Sequence, residues 1–266
     1  MSIIDKLKSL KAKRPARLLT VKSAIFLTPN MRRLTLGGDA LTNFPADSEG
    51  AHIKLLFDQT VQKETSMQKP AMRTYTVAQQ RSAQNEIDID FMLHDSKNGT
   101  EHAIAAPWSL AAKPGDTIGL FGPGLASYIN LDADCFLLAA DMTALPALTV
   151  SLKTLPSNAK AKVFIEILSA EDKQSLAHPD GVEIVWLIND EPGSDASPLY
   201  HAIQQADWPE GRVAAWVACE FKTMKKIRSY LKGERDLKKS HLYISSYWKK
   251  GDNEEQHKVA KQADSI

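Results

Sequence analysis

The stretch AMRTYTVAQQR, residues 71–81, puts a cation, an aromatic ring and a hydroxyl within four positions: Arg73, Tyr75 and Thr76. In a half-buried strand successive side chains point to opposite faces, so Arg73 and Tyr75 share one face and Thr76 takes the other. A guanidinium fork matches a phosphate, and a phenol ring lies well against another ring. The pattern suits a flat, anionic ligand; a surface cross-strand pair is the plainer alternative. Downstream, DFMLH ends on His94, and the small-residue run AIAA (103–106) precedes Trp108 and Ser109. Small side chains there let a ligand approach the backbone at Ala105 and Ala106, whereas His94 is as well explained as a structural or surface histidine.

Two further places carry polar groups that chemistry could use. In AADMTALPA, Asp141 and Thr143 precede a helical pattern, so they serve either as helix caps or, with the amide of Ala144, as a seat for an anion. Near the end, SSYWKK sets Tyr247 and Trp248 before Lys249 and Lys250: an aromatic pair to cover a ring followed by two cations, or a strand end with a solvated basic tail. No histidine or cysteine spacing matches a zinc site, and no nucleophile–base signature appears. Cys135 and Cys219 make no secreted disulfide framework.

The elements that must position these residues come in two rhythms. ARLLTVKSAIFL, MRRLTLGG, HIKLLF, RTYTVA, EIDIDFML and DTIGLFGP are short alternating runs separated by turn residues, which predicts an antiparallel barrel or sandwich. KPGD (113–116) is a turn, with Pro114 fixing one dihedral and Gly115 accepting a positive one. From CFLLAA (135–140) onward, continuous apolar strands alternate with helical patterns, which predicts a parallel sheet with crossover helices. SPLYHAIQQAD reads as a helix opened by Ser197 with Pro198 in its first turn, and FKTMKKIRSYLKGE as a helix with Phe221, Met224, Ile227 and Leu231 on one side. The expected division is residues 1–130, a barrel preceded by a short amphipathic helix (Ile3, Leu7, Leu10), and residues 131–266, an α/β unit with a C-terminal tail. DQTVQKETSMQKP (58–70) reads as a loop.

Composition bounds the function. Of 266 residues, 43% are hydrophobic and 24% charged, ordinary for a globular chain. The formal charge of +1 gives no nucleic-acid signature, and no run suits a signal peptide or a bilayer span, so a cytoplasmic protein without stable membrane insertion is expected.

In order and spacing, these landmarks resemble the siderophore-interacting proteins, flavin-dependent ferric-siderophore reductases related to the ferredoxin–NADP reductases. TPNMRRLTLGG (28–38), HIKLLF (52–57), RTYTV (73–77), DFMLH (90–94), PWSLAAKPGD (107–116), ADMTALPAL, AWVACE and YWKKG carry the resemblance across nearly the whole chain. It implies an FAD-binding barrel joined to an α/β nucleotide-binding-like unit. Arg73 should then hold the FAD pyrophosphate, with Tyr75 and Thr76 on the isoalloxazine and His94 in the same cleft. Amides near Ala105, Ala106, Trp108 and Ser109 should carry phosphates. Asp141, Thr143 and Ala144 should close the cofactor from the other unit, with Tyr247 and Trp248 near its exposed side. The implied reaction passes electrons from FAD to iron(III) held by a siderophore, with NAD(P)H or reduced ferredoxin as donor. Lys54, Lys249 and Lys250 are the expected cationic mouth for an anionic ferric siderophore. The basic stretch from Lys222 onward is the candidate face for an acidic ferredoxin. The family's usual glycines are replaced at Ala140 and Cys219, and Met142 stands where Glu is common, so the resemblance carries a flavin site further than a nicotinamide site. A general NAD(P)H-dependent flavin reductase and a non-catalytic siderophore-binding protein are the rival expectations.

Overall fold

The computed structural model describes residues 16–57, 71–93, 104–195 and 197–264. The expected N-terminal helix, the 58–70 loop and His94 lie outside these residues.

Six strands close a barrel: β1 (Arg17–Thr28), β2 (Met31–Gly37), β3 (His52–Phe57), β4 (Ala71–Arg81), β5 (Glu86–Met92) and β6 (Thr117–Phe121). Their order is β1-β2-β5-β4-β3-β6, and every pairing is antiparallel. The alternation anticipated from sequence is realised: Leu34, Leu36, Ile53, Leu55, Ile89 and Leu120 point inward and are fully buried. Closure leaves no free sheet edge around the barrel except where a ladder is interrupted. The predicted KPGD turn forms, with Gly115 at φ +100° and the amide of Lys113 donating to Asp116 Oδ2 at 3.0 Å. One end of the barrel is covered by α1 (Ala105–Ala111), whose Ala105 lies in the barrel core. Arg32 donates to Leu110 O (2.6 Å) and Ala112 O (3.1 Å), placing a cation on the carbonyls at the C-terminal end of that helix.

The second half is a five-stranded parallel sheet, ordered β11-β10-β7-β8-β9, from β7 (Cys135–Asp141), β8 (Ala161–Ile167), β9 (Val182–Ile188), β10 (Val213–Glu220) and β11 (Leu242–Trp248). The helices are α2 (Leu145–Thr154), α3 (Pro198–Gln205), α4 (Phe221–Gly233) and α5 (Glu254–Ala263). β10 is buried along its whole length, as its unbroken apolar run requires for a central parallel strand. Phe221, Met224, Ile227 and Leu231 of α4 pack on one face of the sheet as expected, and Glu220 caps the helix by accepting from the amides of Lys222 (2.6 Å) and Thr223 (3.1 Å). Two expectations change. Ser197 begins α3, but its hydroxyl donates to Glu166 Oε2 at 2.8 Å instead of capping. The expected C-terminal tail is α5, opened by a capping box in which Asn253 and Gln256 bond each other's amides.

Two contacts fix how the halves meet. The buried Asp172 of the second half accepts from Thr28 Oγ1 (2.7 Å), the Asn30 amide (3.0 Å) and Asn30 Nδ2 (2.8 Å), all on the β1–β2 turn. Burial pushes this carboxyl's pKa up, but the bonds from Asn30, Thr28 and Ser169 outweigh it and hold the pKa below its usual value. Opposite, α2 packs on β4. Gly50 permits the approach: its φ is +79°, and a Cβ there would lie 3.2 Å from Val150 Cγ1.

Candidate active site

β4 has two partners, one for each of its halves. Residues 71–76 pair with β3, residues 77–81 pair with β5, and the shift between Val77 and Gln79 marks the change. Along 71–76 the edge away from β3 therefore has no strand partner among the described residues. Within this open-edged segment Arg73 sits opposite Leu55 and Tyr75 opposite Ile53, on the inward face at the barrel's mouth. Thr74 pairs with Lys54 on the outer face.

An aromatic file backs the strand. The Tyr75 ring lies 4.4 Å from Phe91, Phe91 lies 6.0 Å from Trp108, and Trp108 meets Phe57 edge-on at 5.5 Å. Tyr75 is half-buried, and burial pushes its phenol pKa well up, so it stays neutral. Thr76 is buried, and its hydroxyl bonds to no other described residue. At the mouth, Ala105 and Ala106 occupy the first turn of α1, where helix geometry leaves amides without intrahelical partners. The expected phosphate contacts at Trp108 and Ser109 need correction. The Trp108 amide is spent on Ile104 O at 3.1 Å, and Ser109 is fully buried with its hydroxyl on Ala106 O at 2.8 Å. The helix begins at Ala105, so the Trp108 amide falls within its first intrahelical bonds.

The opposite wall of the crevice is the carboxyl end of the parallel sheet. Asp141 does not offer neighbouring amides to an anion: it consumes them. Its Oδ1 accepts from the amides of Thr143 (3.0 Å) and Ala144 (3.3 Å) and from the Thr143 hydroxyl, while Oδ2 accepts from Trp248 Nε1 at 2.7 Å. The carboxylate holds the turn ahead of α2, whose N-cap residue, Ala144, makes no side-chain cap. Burial pushes the Asp141 pKa up against these bonds. Glu166, on the next strand, is also raised, first by burial and then by the charge of Asp141. Met92 from the barrel, with Asp141, Glu166, Asn189 and Trp248, lines the narrow cleft there. Tyr247 turns onto the barrel-facing side of the sheet, where burial raises its pKa.

The three lysines expected at the mouth divide. Lys54 Nζ is 2.7 Å from Glu254 Oε1, and Lys249 Nζ is 2.8 Å from Asp252 Oδ2, so both converge on the start of α5. Lys250 is exposed and lies against Gly193, away from the pair. Sequence reasoning missed Thr74 and Glu254. The Thr74 amide donates to Glu254 Oε2 and its hydroxyl to Oε1, both at 2.7 Å.

Residues 20–127 match the model of the siderophore-interacting FAD-binding domain, and residues 133–251 match that of the siderophore-interacting protein. The chain is 35% identical over 256 residues to the ferric vibriobactin reductase ViuB of Vibrio cholerae, covering 90% of this chain and 91% of that protein. The chain belongs to the siderophore-interacting protein family. Among solved structures, the siderophore-interacting protein SipS of Aeromonas hydrophila superposes with a TM-score of 0.81 at 28% identity, covering 94% of this chain and 98% of SipS. A siderophore utilization protein from T. fusca gives 0.78 at 32% identity, covering 90% and 94%. The fold is also that of a Plasmodium falciparum ferredoxin–NADP reductase, with a TM-score of 0.66 at 14% identity. The barrel mouth of this siderophore-interacting protein fits the FAD that its matching domain model names. A guanidinium-bearing residue and a neutral phenol share a face, the Thr76 hydroxyl is uncommitted, and two alanines line the first helical turn.

Proposed function

We infer that this chain is an FAD-dependent ferric-siderophore reductase, acting in the cytoplasm on iron(III) delivered as a siderophore complex. When bound, FAD would supply the redox chemistry, one electron for each iron(III), which hard oxygen donors hold tightly, to give iron(II), which they hold much less tightly. The chain's part is binding and placement. Arg73 takes the pyrophosphate, Tyr75 supports the ring while remaining protonated, and Thr76 supplies a hydroxyl to the ring's polar edge. Trp248, pinned by Asp141, walls the crevice on the sheet side. Lys54 and Lys249, each held in an ion pair at the start of α5, are the cations an anionic complex meets at the barrel mouth. No general acid or base is needed.

The donor we propose is NAD(P)H. A relative from Escherichia coli, 28% identical over 247 residues, is an NADPH-dependent ferric-chelate reductase. The basic face of α4, the alternative's docking surface, is offset in part within the chain: Arg228 and Lys225 share Asp264, and Lys222 pairs with Asp195.

The observation carrying the reading is the Arg73–Tyr75–Thr76 triplet on an open-edged strand of the FAD-matching domain. Its test is the visible spectrum of the purified protein reconstituted with FAD. The expected result is a flavin spectrum that survives desalting and is bleached anaerobically by NADH or NADPH. Loss of all flavin on desalting overturns the reading, and bleaching only by reduced ferredoxin overturns the donor.

A further inference from the structure

Three donors on the outer face of the barrel mouth converge on one carboxylate. Lys54 Nζ and Thr74 Oγ1 both meet Glu254 Oε1 at 2.7 Å, and the Thr74 amide meets Oε2 at 2.7 Å. That amide belongs to the edge of β4 that no described strand pairs with, and it is given to Glu254. An ammonium, a hydroxyl and a strand amide aimed at one point make a seat for negatively charged oxygen. The chain fills that seat with its own side chain, from a helix some 180 residues further along.

The helix carrying Glu254 is fastened elsewhere to the second half, almost entirely by polar contacts. His257 shares a hydrogen bond with Ser246 Oγ (2.8 Å), Lys261 Nζ donates to Ser245 Oγ (2.6 Å), and Asp264 takes both Arg228 nitrogens (2.6 and 2.8 Å). Its only buried residue is His257, and Val259 is 65% exposed. A ten-residue helix with so little apolar burial is marginal by itself and opens at low cost. α5 is therefore a strap across the two halves, and its leading carboxylate lies over the strand that carries Arg73 and Tyr75.

We propose that Glu254 is a built-in competitor for the anionic oxygens of the ferric chelate, which must displace it from Lys54 and Thr74. The proposal rests on the reductase reading and adds charge selectivity to it. A trianionic chelate gains the ammonium, hydroxyl and amide that Glu254 gives up, whereas a neutral chelate has no charge to exchange for that of Glu254 and leaves the strap closed.

The test compares wild type, Glu254→Gln and, as control, the neighbouring Glu255→Gln, on a trianionic ferric tris-catecholate and a neutral ferric tris-hydroxamate. Glu254→Gln lowers KM for the trianion about tenfold, with the neutral chelate within about twofold, and Glu255→Gln changes neither. A second readout needs no electron transfer. Amide hydrogen exchange over residues 254–263 quickens in wild type on adding the redox-inert gallium tris-catecholate, and is already fast in Glu254→Gln. If wild type reduces no ferric chelate, the reductase reading fails while the exchange experiment still decides the seat. Unchanged exchange in Glu254→Gln, or an equal gain for both chelates, overturns the proposal. So does a change confined to FAD affinity, which would make the seat one for a cofactor phosphate.

Discussion

The two walls of the crevice are opposites in charge economy. The barrel wall is rich in donors: Arg73 sits on its inward face, while Lys54 and the Thr74 amide and hydroxyl face outward and take their carboxylate from α5. The sheet wall carries two buried carboxylates on adjacent strands, Asp141 and Glu166, each raised in pKa and each already bonded to donors from its own half. An anion is thus drawn to the barrel side and repelled from the sheet side.

Breaking the barrel wall has the largest effect. Arg73→Ala should weaken FAD binding by about a hundredfold, the loss expected for a bidentate charged contact, and yield protein that loses its colour on desalting. Breaking the sheet wall acts on stability. Asp141→Ala removes the acceptor of the Thr143 and Ala144 amides in the turn before α2 and leaves the indole N–H of Trp248 without its acceptor, so it should cost about 2–4 kcal/mol in urea unfolding, with FAD affinity much less affected than in Arg73→Ala.

The contrast sharpens with pH. Asp172 has a folded pKa below its unfolded value, so the folded state binds fewer protons. Its stabilising contribution is complete above the ordinary aspartate range and is lost as pH falls through the lowered value. Glu166 has a folded pKa above its unfolded value, so its cost is complete above the raised value and is relieved as pH falls through it toward the ordinary glutamate range. Glu166→Gln keeps an oxygen for the Ser197 hydroxyl and removes the charge beside Asp141. It should raise stability at pH 7 slightly, by about 0.5–1 kcal/mol, and flatten the stability–pH curve above the ordinary glutamate range. Asp172→Asn should lower stability at pH 7 by about 1–3 kcal/mol and abolish the acid-side loss. The smallest effect is expected at Lys250: Lys250→Ala should change KM for an anionic ferric chelate by less than about twofold, because the side chain is exposed and turned toward Gly193.

Much of this was legible in the residues themselves. All eleven strands among the described residues follow from alternation or from continuous apolar runs, and the Arg73–Tyr75–Thr76 triplet by itself points to the barrel mouth. What was hidden has identifiable causes. Ile104 precedes α1 without a side-chain cap, so the helix start, and with it the engagement of Trp108 and Ser109, left no local signal. The Asp172 clamp joins residues 142 and 144 positions apart, beyond the reach of periodicity. α5 did leave a trace: Asn253 and Gln256 stand at capping-box spacing just past the YWKKG landmark, within a segment read as a tail. Glu254's partners were not readable even so, because only the fold brings α5 to the open edge of β4.

The most direct test of the central claim is electron transfer in a single turnover. The FAD-loaded protein is photoreduced without oxygen and mixed with a ferric tris-catecholate in the presence of a ferrous-specific chromophore. The account predicts that the oxidised flavin spectrum returns as ferrous chromophore appears, about two irons per flavin. A flavin that stays reduced, with no ferrous iron formed, would contradict it.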